Sequence, residues 1–250
     1  MDVKCSRSLV SQLSSQKRRS LQYMILVPAT NPKNWQNLLA DPKKHWKKHY
    51  SARTLAHCWQ DANGFPTEVK ILLSTSPVDQ LTEIEMLFGI PEHQVFIPPI
   101  QGHPSQNDLF VLGKAKDGSL VTIMVEGKVS ESFDVTLGEW KQRLTRGKQI
   151  RLKFLLTTLG LSSQIPDDIR YQLLHRLSSA IVEADKFRAK YAVLLVHSFS
   201  QQDEWFDDYS AFMDLFCVKA KIGTLSQLGV LNGIEVFAGW VRGNKRFLSA

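Results

Sequence analysis

The clearest run of apolar positions along the chain lies between Leu109 and Val125. An outgoing stretch, Leu109-Phe110-Val111-Leu112, and a returning one, Leu120-Val121-Thr122-Ile123-Met124-Val125, have strand length and are rich in β-branched and apolar residues. Between them stands Lys116-Asp117-Gly118, and strand-length runs on either side of an Asp-Gly signal predict a β-hairpin. Loop length then sets the register. A three-residue loop, Lys116 to Gly118 with Gly118 left-handed, places Asp108 opposite Glu126, and Lys128 joins them on one face by the period of two. A two-residue Asp-Gly turn slips the pairing by one and separates the carboxylates, unless a bulge restores it.

Elsewhere the spacing is mostly helical. Trp35 to Leu39 and Ser51 to Asp61 read as helices with Leu38, Leu39, Leu55, Ala56 and Trp59 inward, and Asn63-Gly64-Phe65-Pro66 stops the second. Val78 to Phe88 reads as a further helix ending at Gly89, after which Pro91, Pro98, Pro99 and Pro104 make an extended approach to the hairpin. Beyond Lys128, Leu137 to Leu144 and Ile150 to Leu159 follow helical spacing, with Gly160 as a stop. Asp167 or Asp168 can cap a longer helix to about Phe187, in which Tyr171, Leu174, Leu177, Ile181 and Val182 form a stripe. Tyr191 to Val196 is a continuous apolar run, as expected of a buried central strand. Trp205 to Phe216 reads as a helix and Ile234 to Val241 as a late strand. The order predicts an α/β fold, a mixed central sheet flanked by helices.

A chain of 250 residues with 43% hydrophobic content suits one α/β domain with additions better than two independent ones. No apolar run approaches the roughly 20 residues that span a bilayer, so the expectation is a soluble, cytoplasmic protein without a membrane partner. Cys5, Cys58 and Cys217 are odd in number and widely spaced, which suits free thiols and offers no structural zinc pattern. A formal net charge of +7 favours a polyanionic partner such as DNA. Lys43, Lys44, Lys47 and Lys48 have helical spacing and could track phosphates along one face, although a solvated face is the commoner use of such a run. Residues 1 to 22 are serine-rich and basic, with Lys4, Arg7, Lys17, Arg18 and Arg19; they resemble a disordered, dispensable tail, with Met24 an alternative start. No zinc finger, helix-turn-helix or phosphate loop is present in the sequence, and a homodimer stays open.

Two carboxylates and an amine at one end of a hairpin make a site for a hard cation and a water molecule. The acidic-x-Lys triplet alone is uninformative, because the chain has five: Asp2-Val3-Lys4, Asp41-Pro42-Lys43, Glu68-Val69-Lys70, Glu126-Gly127-Lys128 and Glu139-Trp140-Lys141. The fourth alone follows a five-residue apolar run and lies across a hairpin from another carboxylate. Asp108 with Glu126-Gly127-Lys128 resembles the PD-(D/E)xK nuclease superfamily, with Asn107 where the namesake pattern has proline. A wider likeness, from Trp35 to about Phe216, is to a bacterial domain family of uncharacterised function, through His45-Trp46, Tyr50-Ser51-Ala52, Val125 to Lys128, Tyr171 to Arg176 and Val196 to Phe199.

The superfamily resemblance implies a restriction-endonuclease-like fold and metal-dependent hydrolysis of DNA phosphodiesters, in restriction, defence or repair. Asp108 and Glu126 would hold Mg²⁺ or Mn²⁺, and Lys128 would orient water and offset charge in the transition state. It also implies that polar residues on a helix near the active strands contact phosphate, for which Gln172, His175, Arg176 and Ser179 share part of one face; an ordinary helix surface is the alternative. His197-Ser198, Glu131 and Asp134, and the upstream Glu83 and Glu85, are weaker candidates. The competing functions are a catalytically inactive nucleic-acid-binding domain and an interaction protein whose hairpin charges form a salt bridge.

Overall fold

The computed structural model describes residues 29–99 and 102–250, so the N-terminal tail and the alternative start at Met24 lie outside the described residues. Four helices come first, α1 (Pro32–Gln36), α2 (Pro42–His45), α3 (Ser51–Ala62) and α4 (Thr67–Ser74). Then follow β1 (Glu85–Val95), β2 (Ser105–Lys114), β3 (Leu120–Lys128), α5 (Leu137–Lys141), α6 (Arg146–Thr158), α7 (Tyr171–Phe187) and β4 (Tyr191–Ser198). The chain ends with α8 (Phe206–Asp214), β5 (Leu225–Leu231), β6 (Ile234–Arg242) and a 3₁₀ turn at Lys245–Ser249.

The six strands form one mixed sheet in the order β1-β2-β3-β4-β6-β5, with helices on both faces. Strands β1, β2 and β3 are a meander, β4 runs parallel to β3 and to β6, and β5 closes the other edge antiparallel. Alternation along β2 and β3 splits their side chains between two cores. Leu109, Val111, Ile123 and Val125 face α3 and α4, where Leu55, Ala56, Trp59, Val69 and Leu72 are buried. Phe110, Leu112 and Met124 face α7, whose Leu173, Leu174, Leu177, Ala180, Ile181 and Ala184 are all buried. Each buried leucine contributes about 2 kcal/mol of transfer free energy, and the Thr122 hydroxyl, which donates to the Ala180 carbonyl at 2.8 Å, fixes α7 over β3.

The hairpin has the three-residue loop. Ala115 N–H donates to Ser119 O at 2.9 Å, Gly118 adopts φ +83°, and the pairs run from Lys114↔Leu120 to Leu109↔Val125. Between Val78 and Phe88 the structure corrects the sequence reading. One 3₁₀ turn at Asp79–Leu81 precedes strand β1, because this segment meets its partner β2 through long-range pairing that no local spacing encodes. The basic helical face fails as well: α2 is one turn long and ends at His45, so Lys47 and Lys48 do not continue the face of Lys43 and Lys44.

Candidate active site

Continuing the hairpin register one pair beyond Leu109↔Val125 sets Asp108 beside Glu126. The Gly127 N–H, instead of joining the strand ladder, donates to Asp108 Oδ2 at 2.8 Å. Strand β1 adds a third carboxylate, since Pro91↔Leu109 and His93↔Asn107 place Glu92 across from Asp108. Glu92 is non-glycine at φ +52°, a left-handed conformation that costs on the order of 1–2 kcal/mol. Its Oε2 accepts from Gln106 Nε2 at 2.6 Å. Glu92, Asp108, Glu126 and Lys128 all line one cleft of about 490 Å³ at the carboxyl end of β3, walled by Lys44, Tyr50 and Ser51 from the N-terminal helices and by Gln172 and Arg176 from α7.

Cations from two elements hold the acids. Lys128 Nζ is buried and donates to Glu126 Oε1 at 2.7 Å, to Gln172 Oε1 at 3.1 Å and to the Ser132 carbonyl at 3.2 Å. Arg176 Nε donates to Glu126 Oε2, its Nη1 to the Gln106 carbonyl, and its Nη2 lies 3.7 Å from Asp108 Oδ1. Burial acts to raise the Glu126 carboxyl, but Arg176 and Lys128 outweigh it and hold the group below its usual range. Asp108 goes the other way, pushed up to about 7 by burial and then by the Glu126 charge. Burial and Asp108 push Glu92 up to about 8. Three carboxylates here face two cations, and the carboxylates without a full ion pair carry the strain.

Of the residues singled out from sequence, the structure brings Asp108, Glu126, Lys128, Gln172 and Arg176 together, and Lys44 lines the same cleft. Asp134 lines it too, at φ +61°. His175 points elsewhere: its Nδ1 lies 2.7 Å from Ser105 Oγ, beside Ser179, and burial followed by the Arg176 charge keeps it well below the ordinary histidine range. Glu131 is taken up by the backbone, accepting from Ser51 N–H at 2.8 Å and Val129 N–H at 3.0 Å, so it ties the first turn of α3 to the end of β3. Glu83 is exposed, and Glu85 pairs with Lys114 at the opposite end of β1. Glu92 was missed by sequence reasoning, since its place depends on the cross-strand register of a strand that was not recognised.

His197 belongs to a separate cluster on the other face of the sheet. Ligand atoms of Cys58, Glu68 and His197 lie within 4.8 Å of one another, which is a metal-like grouping. The Trp59 indole N–H donates to His197 Nδ1 at 3.1 Å, leaving the Nε2 proton to face Glu68 Oε1 at 3.2 Å. Both ring nitrogens are therefore engaged and none offers a lone pair to a metal. Burial raises the Cys58 thiol, which disfavours the thiolate a metal would need. This is a satisfied core network.

A family model matches residues 28–245. The chain belongs to the DUF6946 family, a domain of unknown function. Comparisons with curated proteins and with solved structures give no match. Among the described residues no helix is long and apolar enough to cross a membrane.

Proposed function

We propose that this DUF6946 chain is a metal-dependent nuclease of the PD-(D/E)xK type, with a restriction-endonuclease-like fold, that hydrolyses DNA phosphodiester bonds. The observation that carries this reading is the pairing of Asp108 with Glu126 across β2 and β3, with Lys128 two residues on, in one cleft at the strand ends.

The donor set fits a hard cation. It is made of oxygens, Asp108 Oδ1 is 3.7 Å from its nearest cationic nitrogen, and the raised Asp108 and Glu92 carboxyls mark a cluster short of one positive charge. Asp108 and Glu126 would hold Mg²⁺ or Mn²⁺, with Glu92 the third carboxylate in reach, and the ion would supply Lewis-acid polarisation of a phosphate and acidity to a bound water. The remaining work falls to the chain. Lys128, held by Glu126 and Gln172, places a fixed ammonium where charge develops on the phosphate, an arrangement that needs no reorganisation during reaction. Arg176 keeps Glu126 ionised and oriented while remaining near Asp108. The walls from α2 and α3 narrow the cleft around the phosphate.

A second reading rests on the same ion pairs. Both Glu126 oxygens are occupied by Lys128 and Arg176, which is also how a buried structural network looks. Incubation of supercoiled plasmid and of a labelled single-stranded oligonucleotide with purified protein in Mg²⁺, Mn²⁺ or EDTA separates the two. Metal-dependent cleavage supports the nuclease, and its absence in every metal leaves the inactive domain.

A further inference from the structure

Between Glu139 and Asp167 the chain has no acidic residue and six basic ones, Lys141, Arg143, Arg146, Lys148, Arg151 and Lys153. A solvated helix face normally interleaves opposite charges three or four residues apart, and this stretch does not. Among the described residues one of the six makes an ion pair with an acid, Lys141 with Asp167 at 2.8 Å. Arg151 is used structurally, donating to the Tyr171 hydroxyl and to the Ile97 and His103 carbonyls. Arg143, Arg146 and Lys153 are exposed, and Lys148 lies over the Trp140 ring. Arg146 and Lys148 also occupy the first turn of α6, where the helix dipole disfavours cations by about 0.3–1 kcal/mol each. The local sequence thus concentrates uncompensated positive charge where helix formation itself would not select it.

Position gives this charge a use. A second cleft, of about 590 Å³, is lined by Trp140, Thr145, Gly147, Lys148 and Arg151, and it shares Gln106, Asp134, Gln172 and Arg176 with the cleft of Asp108 and Glu126. Along these four residues the two clefts adjoin, and the second leads on as a trough to the start of α6. We propose that this trough carries the phosphodiester backbone of DNA away from the carboxylate site, with Lys148 in its wall and the exposed Arg143 and Arg146, which flank its Thr145 and Gly147 lining in the chain, making the phosphate contacts. The proposal rests on the reading of the first cleft as a phosphodiester site and names the surface that holds its substrate. It moves the nucleic-acid interface from Lys43, Lys44, Lys47 and Lys48, whose common helical face does not exist, to α5 and α6.

The test is fluorescence anisotropy with a labelled 20-mer, single-stranded or duplex, in EDTA over a series of salt concentrations. Substituting Arg143→Gln, Arg146→Gln and Lys148→Gln together alters two exposed side chains and one half-buried one, and an unchanged Tm verifies the fold. Loss of three phosphate contacts should lower the slope of log K against log salt by about 2–3. A control carrying Lys43→Gln, Lys47→Gln and Lys48→Gln, which spares Lys44 in the wall of the carboxylate cleft, should keep most of the wild-type slope. Wild-type binding that the triple variant retains in full would overturn the proposal and leave the nuclease reading intact. Binding to phosphatidylserine vesicles but not to either oligonucleotide would also overturn it, by making the basic stretch a lipid contact. Binding lost in the triple variant, with no wild-type cleavage in any metal, would sustain the proposal and sink catalysis.

Discussion

Asp108→Asn should stabilise the metal-free protein at neutral and alkaline pH. The amide keeps the side-chain shape and an oxygen for the Gly127 N–H, which Asp108 Oδ2 accepts at 2.8 Å, and removes the charge that burial and Glu126 disfavour. The carboxyl rises from an ordinary 3.8 to about 7 in the fold. Between those values the folded state keeps a proton that the unfolded state has released, so wild-type stability falls as pH rises, and the loss is complete above the folded value. At about 1.4 kcal/mol per unit the full shift corresponds to roughly 4 kcal/mol, and a side chain 22% exposed retains enough solvent to bring the expected gain to about 2–4 kcal/mol at pH 8. Near pH 4 the gain should shrink toward zero. Urea denaturation of both proteins at pH 4.5, 6, 7 and 8 in EDTA measures this. Mg²⁺ should then narrow the gap: it should stabilise wild type by about 1.4 kcal/mol at ten times its Kd, and the Asn variant much less. A difference that does not vary with pH, or an equal response of both proteins to Mg²⁺, would refute the reasoning.

Two further outcomes follow from the packing. Glu126→Gln should destabilise the fold by about 3–5 kcal/mol in urea, since it leaves the buried Lys128 and Arg176 facing a neutral group, whereas Lys128→Met should cost less because Glu126 keeps Arg176; a Glu126→Gln loss under 1 kcal/mol would mean the ion pairs are weaker than their burial implies. Gly127→Ala should cost about 1–3 kcal/mol, because its methyl would stand 3.3 Å from Leu55 Cδ2 and 3.4 Å from Asp108 Oδ2; thermal unfolding indistinguishable from wild type would show that α3 yields freely there.

The centre of the fold was legible because its signals are local. The Asp-Gly signal between two strand-length apolar runs marked the hairpin, and the three-residue loop with Gly118 at positive φ settles which of the two registers holds, the one that sets Asp108 against Glu126. Helical spacing likewise put Gln172 and Arg176 on part of one face of α7, and the fold turns both side chains to Lys128 and Glu126 on β3. The edges of the sheet were not legible. Strand β1 contains Gly89 and Pro91, which disfavour strand, and carries helix-like apolar spacing at its start, and β5 is short, with a register shift between Gln227 and Gly229. Both exist by pairing with distant partners. Glu92 therefore joined the site only when β1 did, and the Lys43 to Lys48 spacing misled because Pro42–His45 is a single turn. The charge of α5 and α6 was visible in the sequence, but its meaning depends on a trough that only the tertiary structure forms.

Cleavage of plasmid DNA by wild type beside Asp108→Asn and Lys128→Ala, in Mg²⁺ and in EDTA, tests the central claim most directly. Wild type should cut in Mg²⁺ and not in EDTA, and both variants, shown folded by their unfolding curves, should lose cleavage at least a hundredfold while still binding DNA. Cleavage that persists undiminished in the two folded variants would place the chemistry elsewhere and contradict the account.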